Sequence, residues 1–262
     1  MIDFLKEDIK GVILDMDGVL WKDSEPIGSL SAIFQRFEEY HLPVILATNN
    51  ATRTVDQYLQ KLAGMGVALS DWQIATAGQA VVSHLKQNYP PNSKVYVVGM
   101  ESLKMLIIEA GFILDDTAAA AVVVGIDRHI SFDKIKIANR LIRAGAEFIG
   151  TNPDKTFPTP EGLIPGAGAI IAAVEAASET QPFFVGKPGK VLMELALSRF
   201  NGITPEQVLM VGDRLETDIA AAQSCGCRSA LVLSGVTKMD QVQKWNPEPD
   251  FIFNDLSSLV GI

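Results

Sequence analysis

Eight short apolar runs recur along the chain, and the stretches between most of them carry helical patterns. They cover residues 12–14, 44–47, 95–98, 121–124, 148–149, 208–211, 230–233 and 251–253. Such runs are too short for buried helices. Rich in Val, Ile and Leu, they read as strands covered on both faces. Strands that alternate with helices predict parallel βα units, with helices packed on the faces of the sheet. The fold class expected is therefore α/β, a doubly wound parallel sheet. Several helix ends are legible. Thr54 with Gln57 makes a capping box, and Thr204-Pro205-Glu206-Gln207 combines an N-cap, a proline and a capping-box glutamine. Gly111 and Gly145 sit where C-cap glycines belong. Pro90-Pro91-Asn92-Ser93 is a turn signal expected near a domain boundary.

Three of the apolar runs end in reactive groups. The first leads into Asp15-Met16-Asp17-Gly18. Side chains alternate along a strand, so in a regular continuation both acids share a face, and Gly18 lets the backbone turn just past them. Two acids at the end of a core strand are costly unless they hold a metal or do chemistry. A plain acidic turn, or a calcium loop, is the competing reading. The second run ends in Thr48-Asn49-Asn50, whose hydroxyl, amide and nearby backbone N–H groups suit a phosphate oxygen, although a strand-to-helix turn also favours them. The third ends in Gly212-Asp213, with Asp218 five residues on. Asp213 suits a hard cation; Asp218 either orients it or caps the next helix. Between them stands Gly186-Lys187-Pro188, one cation whose direction glycine and proline restrict. In a parallel sheet the carboxyl ends of the strands share one edge, where open α/β folds bind ligands.

Asp15-x-Asp17-Gly18, Thr48-Asn49, Lys187-Pro188 and Gly212-Asp213 with Thr217-Asp218 resemble, in order, the four motifs of the haloacid dehalogenase (HAD) phosphatases. The segments 48–53, 150–154, 162–168 and 234–237 resemble the NagD and 4-nitrophenylphosphatase-like branch, subclass IIA. Thr48 follows Asp15 by 33 residues, room for one helix, whereas Lys187 follows Thr48 by 139. The surplus holds apolar runs of its own and reads as an inserted α/β cap of the type II kind over residues 79–181. Residues 1–78 and 182–262 are then the Rossmann-like core.

The resemblance implies a mechanism that the residue types allow. Asp15 attacks phosphorus and forms an aspartyl-phosphate; Asp17 protonates the leaving oxygen and then activates water. Mg²⁺ is expected at the Asp15 carboxylate, the Asp17 backbone carbonyl and Asp213, with Asp218 orienting the site. Thr48, Asn49, Asn50 and Lys187 are expected to bind phosphate. A phosphotransferase or mutase of the same fold, or a non-catalytic phosphometabolite binder, are the alternative functions. Leaving-group choice is expected to belong to the cap, with Asn152 and Asp154 as candidates. Trp21 and Lys22 border the first motif, as entrance or as packing.

The net charge of −9 argues against nucleic acid or a membrane surface as partner and leaves a small phosphorylated metabolite open, since a local cation reverses the sign of a pocket. No apolar run approaches the ~20 residues a bilayer requires, and the first ten residues carry three acids and no secretory segment, so a cytoplasmic location is expected. The two cysteines, Cys225 and Cys227, read as packing after a helix. These residues do not set the oligomeric state; a homo-oligomer paired through the cap surface is compatible with them.

Overall fold

The computed structural model describes residues 1–4, 6–159 and 162–262. In chain order its strands are β1 (Gly11–Leu14), β2 (Trp21–Lys22), β3 (Glu25–Pro26), β4 (Val44–Thr48), β5 (Ile74–Thr76), β6 (Lys94–Val98), β7 (Ile113–Leu114) and β8 (Ala121–Val124). There follow β9 (Glu147–Gly150), β10 (Thr156–Thr159), β11 (Gly162–Pro165), β12 (Phe183–Phe184), β13 (Val208–Gly212), β14 (Arg228–Val232) and β15 (Phe251–Phe253). The chain divides into two compact units: Met1–Thr48, Val55–Ala75 and Met193–Ile262 form the first, Asn49–Thr54 and Thr76–Leu192 the second.

Among the described residues the first unit is built on a six-stranded sheet of order β15-β14-β13-β1-β4-β5. From β1 the chain moves outward to β4 and β5; on its return it enters at β13, beside β1, and moves outward the other way. The switch point therefore lies between β1 and β13, which pair in parallel. Every residue of β1 and β13 is buried, as expected for strands covered on both faces. Helix Leu30–Glu39 buries Leu30, Ile33, Phe34 and Phe37 in the same apolar cluster as Val12, Leu14 and Leu46. Side chains of this size each contribute about 1.5–3 kcal/mol on burial. In the register Leu14 lies opposite both Val211 and Leu46. The three strands thus end level, and Asp15, Asp213 and Thr48 emerge along one edge.

The second unit carries a sheet of order β12-β9-β8-β6-β7, parallel throughout, and an antiparallel pair β10–β11. Its core joins Val98, Val122, Val124 and Phe148 to Leu141, Ile142, Ile171 and Val174, the last four from helices Phe132–Arg143 and Ala167–Ser178.

All eight apolar runs form strands. Gly111 and Gly145 follow helices Glu101–Glu109 and Phe132–Arg143 with positive φ. Two local expectations differ. Thr204 to Gln207 makes its capping box around a short 3₁₀ turn, not an α-helix, because β13 begins at the next residue. Pro90 to Ser93 lies inside the second unit, between helix Ala77–Asn88 and β6. The unit boundaries by contact run outside 79–181, since the two-residue β12 pairs with β9 and draws the chain beyond it into the second unit.

Candidate active site

In the first unit Asp15 continues β1 by one residue; its N–H donates to the carbonyl of Val211 at 2.9 Å. Its side chain is buried, as are those of Asp213 and Asp218. One carboxylate oxygen from each of the three lies within 4.8 Å of the others. Among the described residues no further grouping of three acids, histidines or cysteines comes as close. Thr48, the buried last residue of β4, stands on the same sheet edge.

Local structure holds these acids. Past β13 the chain makes one π-helical turn, Leu215–Ile219, which carries Asp218 back towards the strand end. Asp218 Oδ2 there accepts the backbone N–H groups of Asp213 and Arg214, both at 3.1 Å. Asp218 therefore sets the backbone that carries Asp213, and the helix Ala220–Cys225 begins after it. Asp213 Oδ2 accepts the N–H of Val236 at 2.7 Å, and the Asp213 carbonyl accepts that of Thr237. The loop 234–237 is thus folded onto Asp213, and Ser234 Oγ donates to the carbonyl of Gly18 at 2.7 Å. Gly18 has φ +88°, and a Cβ there would fall 2.6 Å from Asp213 Oδ2. A Cβ on Gly235 would overlap the same carboxylate. Only glycine permits so close an approach.

Asp17 is half-buried and its carboxylate is turned to a different partner. The indole N–H of Trp21 donates to Asp17 Oδ1 at 2.9 Å. Trp21 is buried and caps a tight turn in which Gly18 N–H donates to the Trp21 carbonyl at 2.8 Å.

The second unit gathers Asn49, Asn152, Asp154 and Lys187. The buried Asn49 amide brackets Lys187: Oδ1 accepts the Lys187 N–H at 2.7 Å, and Nδ2 donates to its carbonyl at 2.9 Å. Nδ2 also donates to Asp154 Oδ2 at 3.0 Å. Asn152 Nδ2 donates to the Asn49 carbonyl at 2.7 Å, and Asn152 Oδ1 accepts the Asp154 N–H. Lys187 is buried, which a lysine tolerates only in a polar setting. Asn50 turns inward on its own loop, where Oδ1 accepts the N–H and hydroxyl of Thr52. The role of Trp21 and of the loop 234–237 was not readable from residue type. A tryptophan four residues past an acid is the one local signal for the former.

Three buried carboxylates this close repel one another, and an oxygen-only donor set suits a hard cation of the Mg²⁺ kind. The residues present therefore fit a divalent ion. Cys227 is a contrasting buried group: removal from water pushes its thiol up to about 12, and it stands as inert packing beside Gly226.

Comparison with known proteins identifies the family. The haloacid dehalogenase-like hydrolase family matches residues 12–113, and a second HAD-hydrolase-like family matches residues 184–259. The chain is 34% identical to the 5′-nucleotidase YutF of Bacillus subtilis over 96% of its own length and 97% of that protein. Its fold resembles that of NagD from Escherichia coli K-12, with 32% identity, TM-score 0.87 and coverage of 95% and 97% of the two chains. It also resembles the 4-nitrophenylphosphatase of Thermotoga maritima, with 31% identity, TM-score 0.90 and 98% of each chain covered. With four motif segments, an α/β core and relatives matched over nearly their whole length, this chain belongs to the haloacid dehalogenase-like hydrolases, in the NagD-like branch.

Proposed function

We propose that this hydrolase cleaves phosphomonoesters of small metabolites, with Asp15 as nucleophile, Asp17 as acid and base, and Mg²⁺ as cofactor. The observation that carries the reading is the meeting of Asp15 and Asp213 at the switch point of the sheet, the edge at which open α/β folds bind their ligands. Asp15, Asp213 and the Asp17 carbonyl would hold the ion, and Asp218 would keep Asp213 in place through its two backbone hydrogen bonds. When bound, Mg²⁺ offsets the charge on the phosphate oxygens and fixes their orientation.

Asp15 attacks phosphorus as the bond to the leaving oxygen breaks, and that oxygen takes its proton from Asp17. Asp17, now ionised, takes a proton from the water that hydrolyses the aspartyl-phosphate. Thr48 offers a hydroxyl to the phosphate, and Lys187 a positive charge. Asn50 is a further phosphate ligand in this reading. The Asn49 side chain is occupied by Lys187 and Asp154, so its own contribution to phosphate runs through the main chain.

The second unit acts as the cap that selects the leaving group, with Asn152 and Asp154 in its loop after β9. The substrates that fit this reading are nucleoside monophosphates, sugar phosphates and aryl phosphates such as 4-nitrophenyl phosphate. Free metabolites in the cytoplasm, in preference to nucleic acid or membrane lipid, suit a chain of net charge −9. No described helix is long and apolar enough to cross a membrane. Asp15→Asn should abolish both turnover of 4-nitrophenyl phosphate and trapping of the phosphoenzyme, and a chelator should stop the unaltered protein. Turnover by Asp15→Asn, or full activity in chelator, would overturn the reading.

A further inference from the structure

We infer that Trp21 is a positioning residue for the acid–base step: its indole N–H fixes one oxygen of Asp17, so that the other faces the leaving group and then the water. This rests on the role proposed above for Asp17. The geometry behind it lies wholly within the first unit. A carboxylate on a short stem turns easily about its last bond, and a proton donor that must serve twice gains from a single orientation. The Trp21 N–H takes Asp17 Oδ1 at 2.9 Å, which leaves Oδ2 as the oxygen that carries the exchanged proton.

The indole is itself fixed. It is 1% exposed, and the main chain on either side is tied down by the Gly18-to-Trp21 and Leu20-to-Met16 hydrogen bonds. Lys61 reaches across from the helix Val55–Gly64 and places its ammonium 3.7 Å from the ring centroid, while donating to the Asp23 carbonyl at 2.6 Å. A cation on the ring face draws electron density from the indole and strengthens its N–H as a donor. Packing alone asks only for an apolar ring of this size. The N–H aimed at Asp17 and the ammonium held on the ring face are extra.

The step balances simply. Asp17 Oδ2–H gives its proton to the leaving oxygen as the P–O bond to that oxygen breaks and the bond from Asp15 forms. In the second half Oδ2 regains a proton from the attacking water as the water oxygen bonds to phosphorus and the Asp15–phosphorus bond breaks, which frees the Asp15 carboxylate and inorganic phosphate. Trp21 keeps its own proton throughout.

The test compares two leaving groups. 4-Nitrophenolate departs well without a proton and phenolate poorly, so only for phenyl phosphate does the phosphorylation step, which kcat/KM reads, depend strongly on Asp17 as acid; the later hydrolysis of the aspartyl-phosphate is common to both esters. The key variant replaces Trp21 by the isostere in which sulfur stands for the indole N–H, site-specifically, so that packing is kept; Trp21→Phe is the second. In both, kcat/KM for phenyl phosphate should fall about tenfold or more, a part of the 10²–10⁴ typical of a positioned acid. The loss on 4-nitrophenyl phosphate should be several-fold smaller, with inhibition by inorganic phosphate unchanged. Equal losses on both esters, or no loss with the isostere, would overturn the inference. Asp17→Asn separates this from the parent reading. If that variant shows the selective loss and the Trp21 variants do not, only Trp21 is misassigned. If Asp17→Asn loses equally on both esters, the acid role of Asp17 falls as well.

Discussion

Replacing Asp213 by Asn should change stability in opposite directions with and without Mg²⁺. Oxygens of Asp15, Asp213 and Asp218 lie within 4.8 Å of one another. Two unit charges at that separation repel by about 3.5 kcal/mol at an effective dielectric constant near 20. Asn at 213 removes the charge from two of the three pairs. Charge spread over both carboxylate oxygens, and donors such as the Val236 N–H at 2.7 Å, reduce what is realised to about 1–3 kcal/mol. Asn keeps the shape and an oxygen for that N–H. In chelator the variant should therefore melt higher than the unaltered protein, at about 2–4 °C per kcal/mol. With Mg²⁺ at a hundredfold excess over its dissociation constant, the unaltered protein gains about 2.7 kcal/mol, and the variant should lose most of that gain. Thermal melts of both proteins in chelator and in Mg²⁺ read this directly, and the order of the two melting temperatures should reverse between conditions. A variant that melts lower by the same amount in both conditions would refute the account of the cluster as a cation site.

Other perturbations test neighbouring parts. Gly18→Ala puts a methyl 2.6 Å from Asp213 Oδ2 at a φ of +88°, so it should lower the melting temperature and shrink the Mg²⁺-dependent rise; an unchanged rise would show that the carboxylate does not need this approach. Lys94, at 2.7 Å, together with Thr117 and two backbone N–H groups, holds the Asp115 carboxyl well below the usual carboxylate range. A depressed folded pKa contributes stability above the unfolded value near ~4 and loses it as pH falls through the folded value. Asp115→Asn should accordingly melt lower than the unaltered protein at neutral pH, with the gap closing in acid; a gap independent of pH would count against the pairing. Alkylation at pH 8 should label the half-exposed Cys225 and spare the buried Cys227 until denaturant is added, as mass spectrometry of peptides would show.

What could be read without coordinates follows from the range of the forces involved. β1, β4 and β13 are legible because each is buried along its whole length, so the apolar run and the strand coincide. Asp15 and Asp213 are legible because an acid soon after such a run has no ordinary reason to be there. β5 and β12, three and two residues long, show no period and emerge only through their neighbours in the sheet. The turn at Pro90–Ser93 was clear as a turn, but a turn signal says nothing about whether a unit ends there.

Side-chain orientation is where local pattern runs out. Asp17 and Asp213 each follow an apolar strand, yet one carboxylate is committed to an indole four residues on and the other to the N–H of a loop 23 residues on. Asn49 shows the same limit over a longer span. In Thr48-Asn49-Asn50 it reads as a donor for phosphate, but its partner is the main chain of Lys187, 138 residues away. An amide that spends its acceptor on one N–H and its donors on a carbonyl and a carboxylate has little left for a ligand. What the amide does in the structure is hold the main chain of Lys187. Residue type marks which positions carry chemistry; the partner that each side chain finds decides whether it touches the substrate or holds the residue that does.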